Sequence, residues 1–444
     1  MTSTRREFLA TAGAVAVAAA ASAKDANSRL RVALVGLGGR ATAHIRCLLE
    51  LARENVELAA VCDVDSDLLR SRVEEIEKKT GKKPAAYDDM RRVFDDKSID
   101  AVSFSTPNHW HCLGTIWACQ AGKDVYVEKP LSHNIHEGRV TVEVARKTGR
   151  LVQHGTQCRS SPNIRQAIEQ LHKGVIGRVY MARGMAYKVR PSLGKIPTGQ
   201  PPASLNLDRW CGPAPLNNYA VKLKAGQWHC LWDYGNGEIG NQGVHQMDII
   251  RWGLKLDEHP SKVQSMGGLY VNKGDQQTPG VQVASFQYRN RDLLVDFAVR
   301  DWYTPCEGGI GDQYPFVDNR NAVGVIFFGT EGYLIIPDYS SYYTFLGPKR
   351  EPGPSASDRS DPMVDLPHFR NFIAAVRSRK ASDLTADVEE GHKSSVMCHL
   401  ANIAYRLGRT LEFDPEKERF VNDAEADKHL SRVYREPYVL PARV

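Results

Sequence analysis

The chain has 444 residues, of which 42% are hydrophobic and 25% charged, a globular composition that excludes collagen-like and disordered classes. Its 58 basic and 52 acidic residues give a net charge of +6, with no dense basic block and no zinc-finger motif, which argues against nucleic-acid binding. The length predicts two or three domains.

The N-terminus carries the pattern of an export signal. Arg5 and Arg6 precede an apolar, alanine-rich stretch over residues 8–20, and Ala21-Ser22-Ala23 then forms a cleavage pattern. This order is typical of a twin-arginine signal over residues 1–23, and it predicts a periplasmic or otherwise exported protein that uses the twin-arginine export machinery. The apolar stretch is too short for a stable membrane span.

The cysteines support the same expectation. The chain has nine, none in a C-x-x-C pair, and an odd number fits poorly with a disulfide framework. We therefore expect free thiols and folding in a reducing compartment. The twin-arginine route exports proteins that have already folded, so unpaired cysteines and an export signal are compatible.

Strands and helices alternate after the signal. Apolar runs predict strands over residues 30–35, 56–62, 85–87, 101–105, 125–127 and 151–152, with helical segments between them. This alternation predicts an α/β fold, with a doubly wound parallel Rossmann sheet over residues 30–150. The remaining residues, 151–444, would form a second domain.

A glycine-rich loop follows the first predicted strand and opens a helix. It consists of Gly36, Leu37, Gly38, Gly39, Arg40 and Ala41. Gly36 permits a tight turn, Gly38 lets the backbone approach a pyrophosphate, and Ala41 allows close helix packing. The second strand ends at Asp63, whose carboxylate can accept hydrogen bonds from ribose hydroxyls and would repel a 2′-phosphate. The pattern predicts NAD as the cofactor in preference to NADP.

Three later segments carry a family resemblance. T-P-N-H-W-H over residues 106–111 follows the fourth strand, A-G-K-D-V-Y-V-E-K-P over residues 121–130 contains the fifth, and a third segment covers residues 237–253. With the glycine loop, they resemble the Gfo/Idh/MocA oxidoreductases. The resemblance implies an NAD-dependent oxidoreductase whose C-terminal α+β domain has a large, open, mainly antiparallel sheet and binds the substrate.

The resemblance also implies roles for the reacting residues. Lys129 lies beside the nicotinamide and the substrate hydroxyl, and His245 takes the hydroxyl proton, a role that suits an imidazole with an ordinary pKa near 6.5. The chain departs from the family at Asn241, where an aspartate is usual. An asparagine can hold a hydroxyl but cannot carry charge. Either Lys129 takes more of the proton transfer, or another acid such as Asp233 or Glu238 substitutes.

Other side chains are expected around the cofactor. This group comprises Thr106, Asn108, His111, Glu128 and Gln157, and Arg159 is expected to face the nicotinamide or the substrate. His109 and His111 lie too close in sequence, without cysteine or carboxylate partners, for a zinc site, so we predict no metal. Two readings of the aromatic residues before His245 stay open, stacking on a sugar ring or core packing; these residues are Trp228, Trp232 and Tyr234.

Several outer segments also have expected roles. The Gly- and Pro-rich residues 192–205 and 307–318 are expected to cover the cleft, and residues 349–362 to form a surface linker. The helix that carries Glu390, His392 and His399 is expected to pack rather than react. Residues 434–437 suggest a contact with a partner subunit in a homo-oligomer.

Export constrains the reaction, because free NAD is scarce outside the cytoplasm. The cofactor must be bound before export and regenerated in place. One cycle oxidises a sugar or polyol hydroxyl and then reduces a second carbonyl compound. Another is redox-neutral glycoside hydrolysis by oxidation, elimination, hydration and re-reduction. A third hypothesis is a non-catalytic carbohydrate-binding protein, against which the presence of both Lys129 and His245 argues.

Overall fold

A computed structural model describes residues 29–196, 199–217, 226–302, 322–358 and 363–441. The predicted signal over residues 1–23 and the predicted covering segment over residues 307–318 lie outside this part of the chain. Eight cysteines lie within it, and all eight are free thiols. None of its helices is long and apolar enough to cross a membrane.

The first sheet consists of parallel strands flanked by helices. Its strands are β1 (Leu30–Val35), β2 (Val56–Cys62), β3 (Ala85–Tyr87), β4 (Ala101–Phe104), β5 (Asp124–Val127) and β6 (Val152–His154). The accompanying helices are α1 (Ala41–Glu50), α2 (Ser66–Thr80), α3 (Met90–Asp95), α4 (His111–Gln120) and α5 (Ile135–Thr148). The strand order β3-β2-β1-β4-β5-β6 reverses between β1 and β4, which creates the crevice where such sheets bind ligands. The predicted doubly wound sheet is confirmed.

The second sheet is larger and mainly antiparallel, as the resemblance implied. Its strands are β7 (Val179–Tyr187), β8 (Lys262–Gly268), β9 (Val281–Gln287), β10 (Leu294–Arg300), β11 (Ala322–Gly329), β12 (Gly332–Ile336), β13 (Ser341–Leu346), β14 (Glu351–Ser357), β15 (Leu411–Asp414) and β16 (Arg419–Phe420). Among the described strands the order is β14-β13-β12-β11-β7-β10-β9-β8-β15-β16, and β7 pairs with β10 in parallel.

Seven further α-helices follow the first sheet in the described part of the chain. They are α6 (Pro162–His172), α7 (Leu207–Cys211), α8 (Gly237–Asn241), α9 (Gly243–Leu254), α10 (Leu366–Ser378), α11 (Val388–Leu407) and α12 (Ala424–Asp427). Although α10 follows the second sheet in sequence, its apolar side belongs to the core of the first. Phe369 of α10 is fully buried and stacks on Tyr126 of β5, with ring centroids 4.1 Å apart. A C-terminal helix therefore completes the N-terminal core.

One peripheral prediction needs correction. Part of the predicted linker forms β14, the edge strand of the second sheet, where Pro352 and Pro354 are tolerated because an edge strand is paired on one side only. The C-terminal segment packs against its own chain: the Tyr434 hydroxyl donates to Glu137 at 3.1 Å. The contact of residues 434–437 with a partner subunit stays a prediction.

Close packing at the centre of the second sheet positions helix α9. A Cβ added to Gly184 of β7 would lie 2.6 Å from Cδ2 of Phe297, and one added to Gly243 would lie 2.8 Å from Cζ of the same ring. Glycine at both positions lets the sheet and the helix approach each other across Phe297. His245, two residues into α9, is held in place by this contact.

We expect Gly184→Ala to destabilise the protein by about 1–3 kcal/mol, because the added methyl group would overlap the buried Phe297 ring. Thermal unfolding followed by circular dichroism would report a lower midpoint temperature. Val283→Ala, at a half-exposed position of the neighbouring strand β9, is the control and should lower the midpoint less. Equal midpoints for Gly184→Ala and the unmodified protein would contradict the packing argument.

Candidate active site

The glycine loop forms an open cradle after β1. Gly36 has φ +85°, and a Cβ there would lie 2.8 Å from the backbone nitrogen of Thr106, so a side chain is excluded. Among the described residues, no atoms lie within 4 Å of the Cβ positions of Gly38 and Gly39, which leaves space for a ligand. Helix α1 then begins at the fully buried Ala41, where the amides of Ala41, Thr42 and Ala43 donate to the carbonyls of Gly38, Gly39 and Arg40.

A cavity of about 480 Å³ runs from this cradle to the C-terminal domain. The predicted site residues that line it are Gly36, Gly38, Gly39, Arg40, Asp63, Thr106, Asn108, His111, Glu128, Lys129 and Asn241. Those that do not line it are Leu37, Ala41, Gln157 and His245. A larger open cavity of about 720 Å³ lies between strands of the second sheet and contains none of the predicted residues.

Asp63 is held at the end of β2 by backbone donors. The Leu37 amide donates to Oδ2 at 2.7 Å, and the Asp65 amide donates to Oδ1 at 2.9 Å. Burial raises the pKa of Asp63, and these hydrogen bonds oppose that shift. The carboxylate lines the cavity and keeps further lone pairs for ribose hydroxyls, which fits the predicted role.

Arg40 links the glycine loop to two carboxylates. Its Nε donates to Oε1 of Glu128 at 2.8 Å, and its Nη1 and Nη2 donate to Asp365 at 3.0 and 2.9 Å. His44 contacts the same Oε1 of Glu128 at 3.0 Å. Burial would raise the pKa of Glu128, but Arg40 and His44 hold it well below its usual range. Sequence reasoning missed His44 and Asp365 because no local motif surrounds them.

Lys129 lies where the two domains meet. Its Nζ donates to the backbone oxygen of Asn241 at 2.6 Å and to Oδ1 of the same residue at 3.2 Å. The Lys129–Pro130 peptide is cis. His111 lies 2.6 Å from the Pro130 carbonyl and 2.9 Å from that of Thr106, so it joins the two loops that surround the lysine. Burial lowers the pKa of Lys129 to about 8.

His245 lies in α9 with almost no solvent exposure. Its ring centroid is 5.1 Å from that of Tyr339, and its Nδ1 has no hydrogen-bond partner within the described ranges. Burial, followed by the charge of Lys129, holds the pKa of His245 well below its usual value. Asp248, three residues further on, is bound to Arg159 at 2.7 Å and to Ser394 at 2.8 Å. No carboxylate in the described structure hydrogen-bonds to this imidazole.

The two acids considered as substitutes for the missing aspartate lie in different surroundings. Glu238 is buried and accepts a hydrogen bond from Nδ2 of Asn241 at 3.2 Å. The backbone carbonyl of Asp233 accepts from Arg432 at 3.0 Å, and its carboxylate faces Arg406. Glu238 therefore belongs to the site, and Asp233 lies outside the hydrogen-bond network of Asn241.

Some of the remaining side chains predicted to contact the cofactor have an atom without a hydrogen-bond partner, and others are bonded to protein groups. Within the described part of the chain, Oγ1 of Thr106 and Oε1 of Gln157 are buried without partners. Thr106 lines the cavity, so its hydroxyl can bind a ligand there, whereas Gln157 does not line it. Asn108 instead donates to Asn236 at 3.2 Å. Arg159 is committed to Asp248 and to Glu390, so it is not available to the cofactor.

The histidines and aromatic residues are mostly structural. His109 lies 2.9 Å from the Trp210 carbonyl, and Trp228 alone of the three predicted aromatic residues lines the cavity. His399 contacts Ser132 at 2.9 Å. His392, His259 and Glu418 place their ligand atoms within 4.8 Å of one another. However, the Arg139 guanidinium also donates to Glu418, which favours an ion-paired cluster over a cation site.

Family models match both domains. "Oxidoreductase family, NAD-binding Rossmann fold" of the Gfo/Idh/MocA type matches residues 30–156, and the corresponding "C-terminal alpha/beta domain" matches residues 173–278 and 354–440. The chain belongs to the Gfo/Idh/MocA oxidoreductase family. NAD is accordingly the cofactor of the first domain, and the glycine cradle, Asp63 and the unpartnered Thr106 hydroxyl fit it.

Curated relatives share about a third of this chain. Glycosyl hydrolase family 109 protein 1 of Shewanella sp. (strain ANA-3) is 31% identical over 160 residues, which cover 34% of this chain and 33% of the relative. D-glucoside 3-dehydrogenase of Escherichia coli (strain K12) is 30% identical over 162 residues, which cover 36% and 44% respectively. The match thus spans less than half of either relative.

A solved structure shares the fold over its whole length. The aldose-aldose oxidoreductase of Caulobacter crescentus, complexed with glycerol, superposes with a TM-score of 0.63 at 18% sequence identity. The match covers 87% of this chain and 100% of that one.

We expect Asp63→Asn to weaken the discrimination between NAD and NADP by about tenfold, because it removes the charge that repels a 2′-phosphate and weakens the acceptor for the ribose hydroxyls. The measurement exposes the protein to equal NADH and NADPH and quantifies the bound dinucleotides by mass spectrometry. Asp67→Asn, an exposed acid at the start of α2, is the matched control and should keep the original ratio. An unchanged ratio in Asp63→Asn would contradict the assignment.

Proposed function

We propose that the protein oxidises a hydroxyl of a sugar or polyol and recycles its bound NAD on a second carbonyl compound. The observation that carries this proposal is the continuous cavity with the glycine cradle at one end and Lys129, Asn241 and the Trp228 ring at the other. An aromatic ring beside polar groups is the surface on which a sugar ring stacks. The similarity to a glucoside dehydrogenase supports the same substrate class.

The bound NAD supplies the hydride acceptor, and the chain must move the hydroxyl proton. His245 is a poor acceptor, because burial and the neighbouring charge of Lys129 disfavour its protonated form. Lys129 has a pKa of about 8, which suits proton exchange near neutrality. In this proposal Lys129, which lines the cavity, takes the proton, and no proton-transfer role is assigned to His245, which does not line it.

Export by the twin-arginine route is part of the proposal. Arg40 ties the pyrophosphate cradle to Glu128 on one side and to Asp365 of the C-terminal part on the other. A cofactor held beneath this bridge would exchange slowly and could accompany the folded protein. Recycling within one site then removes the need for free NAD outside the cytoplasm. A homo-oligomer is compatible with this arrangement and is also a proposal.

Redox-neutral glycoside hydrolysis is the second candidate. It is favoured by the similarity to a glycosyl hydrolase family 109 protein and by Asn241 in place of aspartate. After oxidation of a sugar hydroxyl, the adjacent C–H bond is acidic, and a neutral Lys129 can remove its proton while the aglycone leaves. Water addition and return of the hydride would complete the reaction.

A glycoside panel in deuterated water, without added cofactor, distinguishes these reactions. We expect an oxidised sugar together with a reduced carbonyl acceptor, identified by mass spectrometry, because the bound cofactor must be regenerated by a second substrate. Free sugar with deuterium beside the oxidised position would indicate the hydrolase instead. Unchanged glycosides and acceptors across the panel would contradict both enzymatic proposals and indicate a binding protein.

We expect activity to rise with pH around a midpoint near 8, because the neutral form of Lys129 accepts the proton and this form predominates above its pKa. Initial rates across the pH range, with the active sugar from the panel, give the midpoint. Lys129→Arg keeps the charge but cannot lose its proton, so it should be inactive at every pH. Full turnover by Lys129→Arg would contradict this assignment.

A further inference from the structure

The side-chain amide of Asn241 connects Lys129 to the carboxylate of Glu238. Lys129 Nζ donates to Oδ1 of Asn241 at 3.2 Å, and Nδ2 of Asn241 donates to Oε2 of Glu238 at 3.2 Å. With the amide reversed, its NH₂ group would face an ammonium and its oxygen would face a carboxylate, and both contacts would be repulsive. The two charged neighbours therefore fix the orientation of Asn241.

The groups around Glu238 keep its carboxylate ionised. Its carboxylate is 7% exposed and accepts from Nη2 of Arg190 at 2.8 and 3.1 Å. Lys188 lies 3.8 Å from Oε1, and His229 lies 3.5 Å from Oε2. Burial would raise the pKa of Glu238, but His229, Arg190 and Lys188 hold it well below its usual range.

We propose that Glu238 is a positioning residue that supplies, through the side-chain amide of Asn241, the negative charge that this site lacks at position 241. The carboxylate and the lysine are separated by one amide, so Glu238 orients the ammonium without contacting it. A directly bound aspartate would stabilise the protonated lysine more strongly. This arrangement therefore orients Lys129 and still lets it titrate near neutrality.

The charged groups around Lys129 determine the direction in which each substitution should shift its pKa. Glu128 and Glu238 stabilise its protonated form, whereas burial, Arg40 and Lys188 disfavour it. The neutral His245 of α9 adds no charge. Removing the charge of Glu238 should lower the pKa of Lys129, and adding a charge at position 241 should raise it. The inference deepens the role proposed for Lys129, but its test needs no sugar substrate.

The experiment measures the titration of Lys129 directly. The purified holoprotein is trace-labelled with acetic anhydride, which reacts with neutral amines, between about pH 6 and pH 10. Mass spectrometry then quantifies the acetylated Lys129 peptide, with the exposed Lys173 as internal reference. We expect the labelling midpoint to fall by about 0.5–1 pH unit in Glu238→Gln, which keeps an acceptor for Asn241 but loses the charge.

Two further variants complete the test. Asn241→Asp should raise the midpoint by about 1–2 pH units, because it places a charge in contact with the ammonium. Asp233→Asn removes the other candidate acid and should leave the midpoint unchanged. An unmoved or raised midpoint in Glu238→Gln, or an equal fall in Asp233→Asn, would overturn the proposal. If Glu238→Gln does not fold with bound NAD, an unmoved midpoint in Asn241→Asp overturns it as well.

The outcome is separable from that of the proposed function. Failure of every sugar in the panel would refute the reaction but would leave the labelling midpoints as they are. Conversely, the enzyme could be active while the labelling midpoint of Lys129 stays the same after substitution at positions 238 and 241. That result would support the reaction and refute this inference.

Discussion

The active site depends on keeping two opposite charges buried side by side at the switch point of the parallel sheet. Glu128 is nearly inaccessible and remains ionised because Arg40 and His44 contact its Oε1. Lys129 follows Glu128 directly in the sequence, and burial lowers the pKa of its ammonium group. Burying either charge without compensation would cost several kcal/mol, so the neighbours of this pair are as constrained as the pair itself.

Because of that constraint, the site needs residues of both domains. The carboxylate of Glu128 is held by residues of the first domain, whereas the ammonium of Lys129 donates to Asn241 of the second. Arg40 crosses the same boundary to Asp365. A change in the relative position of the domains would therefore alter the charge balance around the Lys129 amine.

Local sequence patterns predicted the strands and helices of the first sheet well. They did not predict which side chains contact one another across the fold. The glycine loop, Asp63 and the alternation of strands depend on short stretches of sequence, and these define the first sheet. The contact of Arg40 with Asp365 joins residues 325 positions apart, and nothing in their local sequence indicates it. Glu238 lies only three residues before Asn241 and was a candidate acid from the sequence, but its contacts with Arg190 and Lys188 depend on the fold. Arg159 shows the same difficulty: its place after β6 suggested a ligand contact, but Asp248 and Glu390 neutralise it. The edge strand β14 was missed because its prolines resemble a loop.

The late position of helix α10 in the sequence determines when the core of the N-terminal domain can be completed. Phe369 and Phe372 fill the core beneath β1 and β5, although about 240 residues separate them from the end of β5 in the sequence. The N-terminal domain emerges from the ribosome without this part of its core, which is completed only after α10 has been translated. Asp365, which accepts hydrogen bonds from Arg40 of the glycine loop, is translated at the same late stage, so the cofactor site is completed only when most of the polypeptide exists.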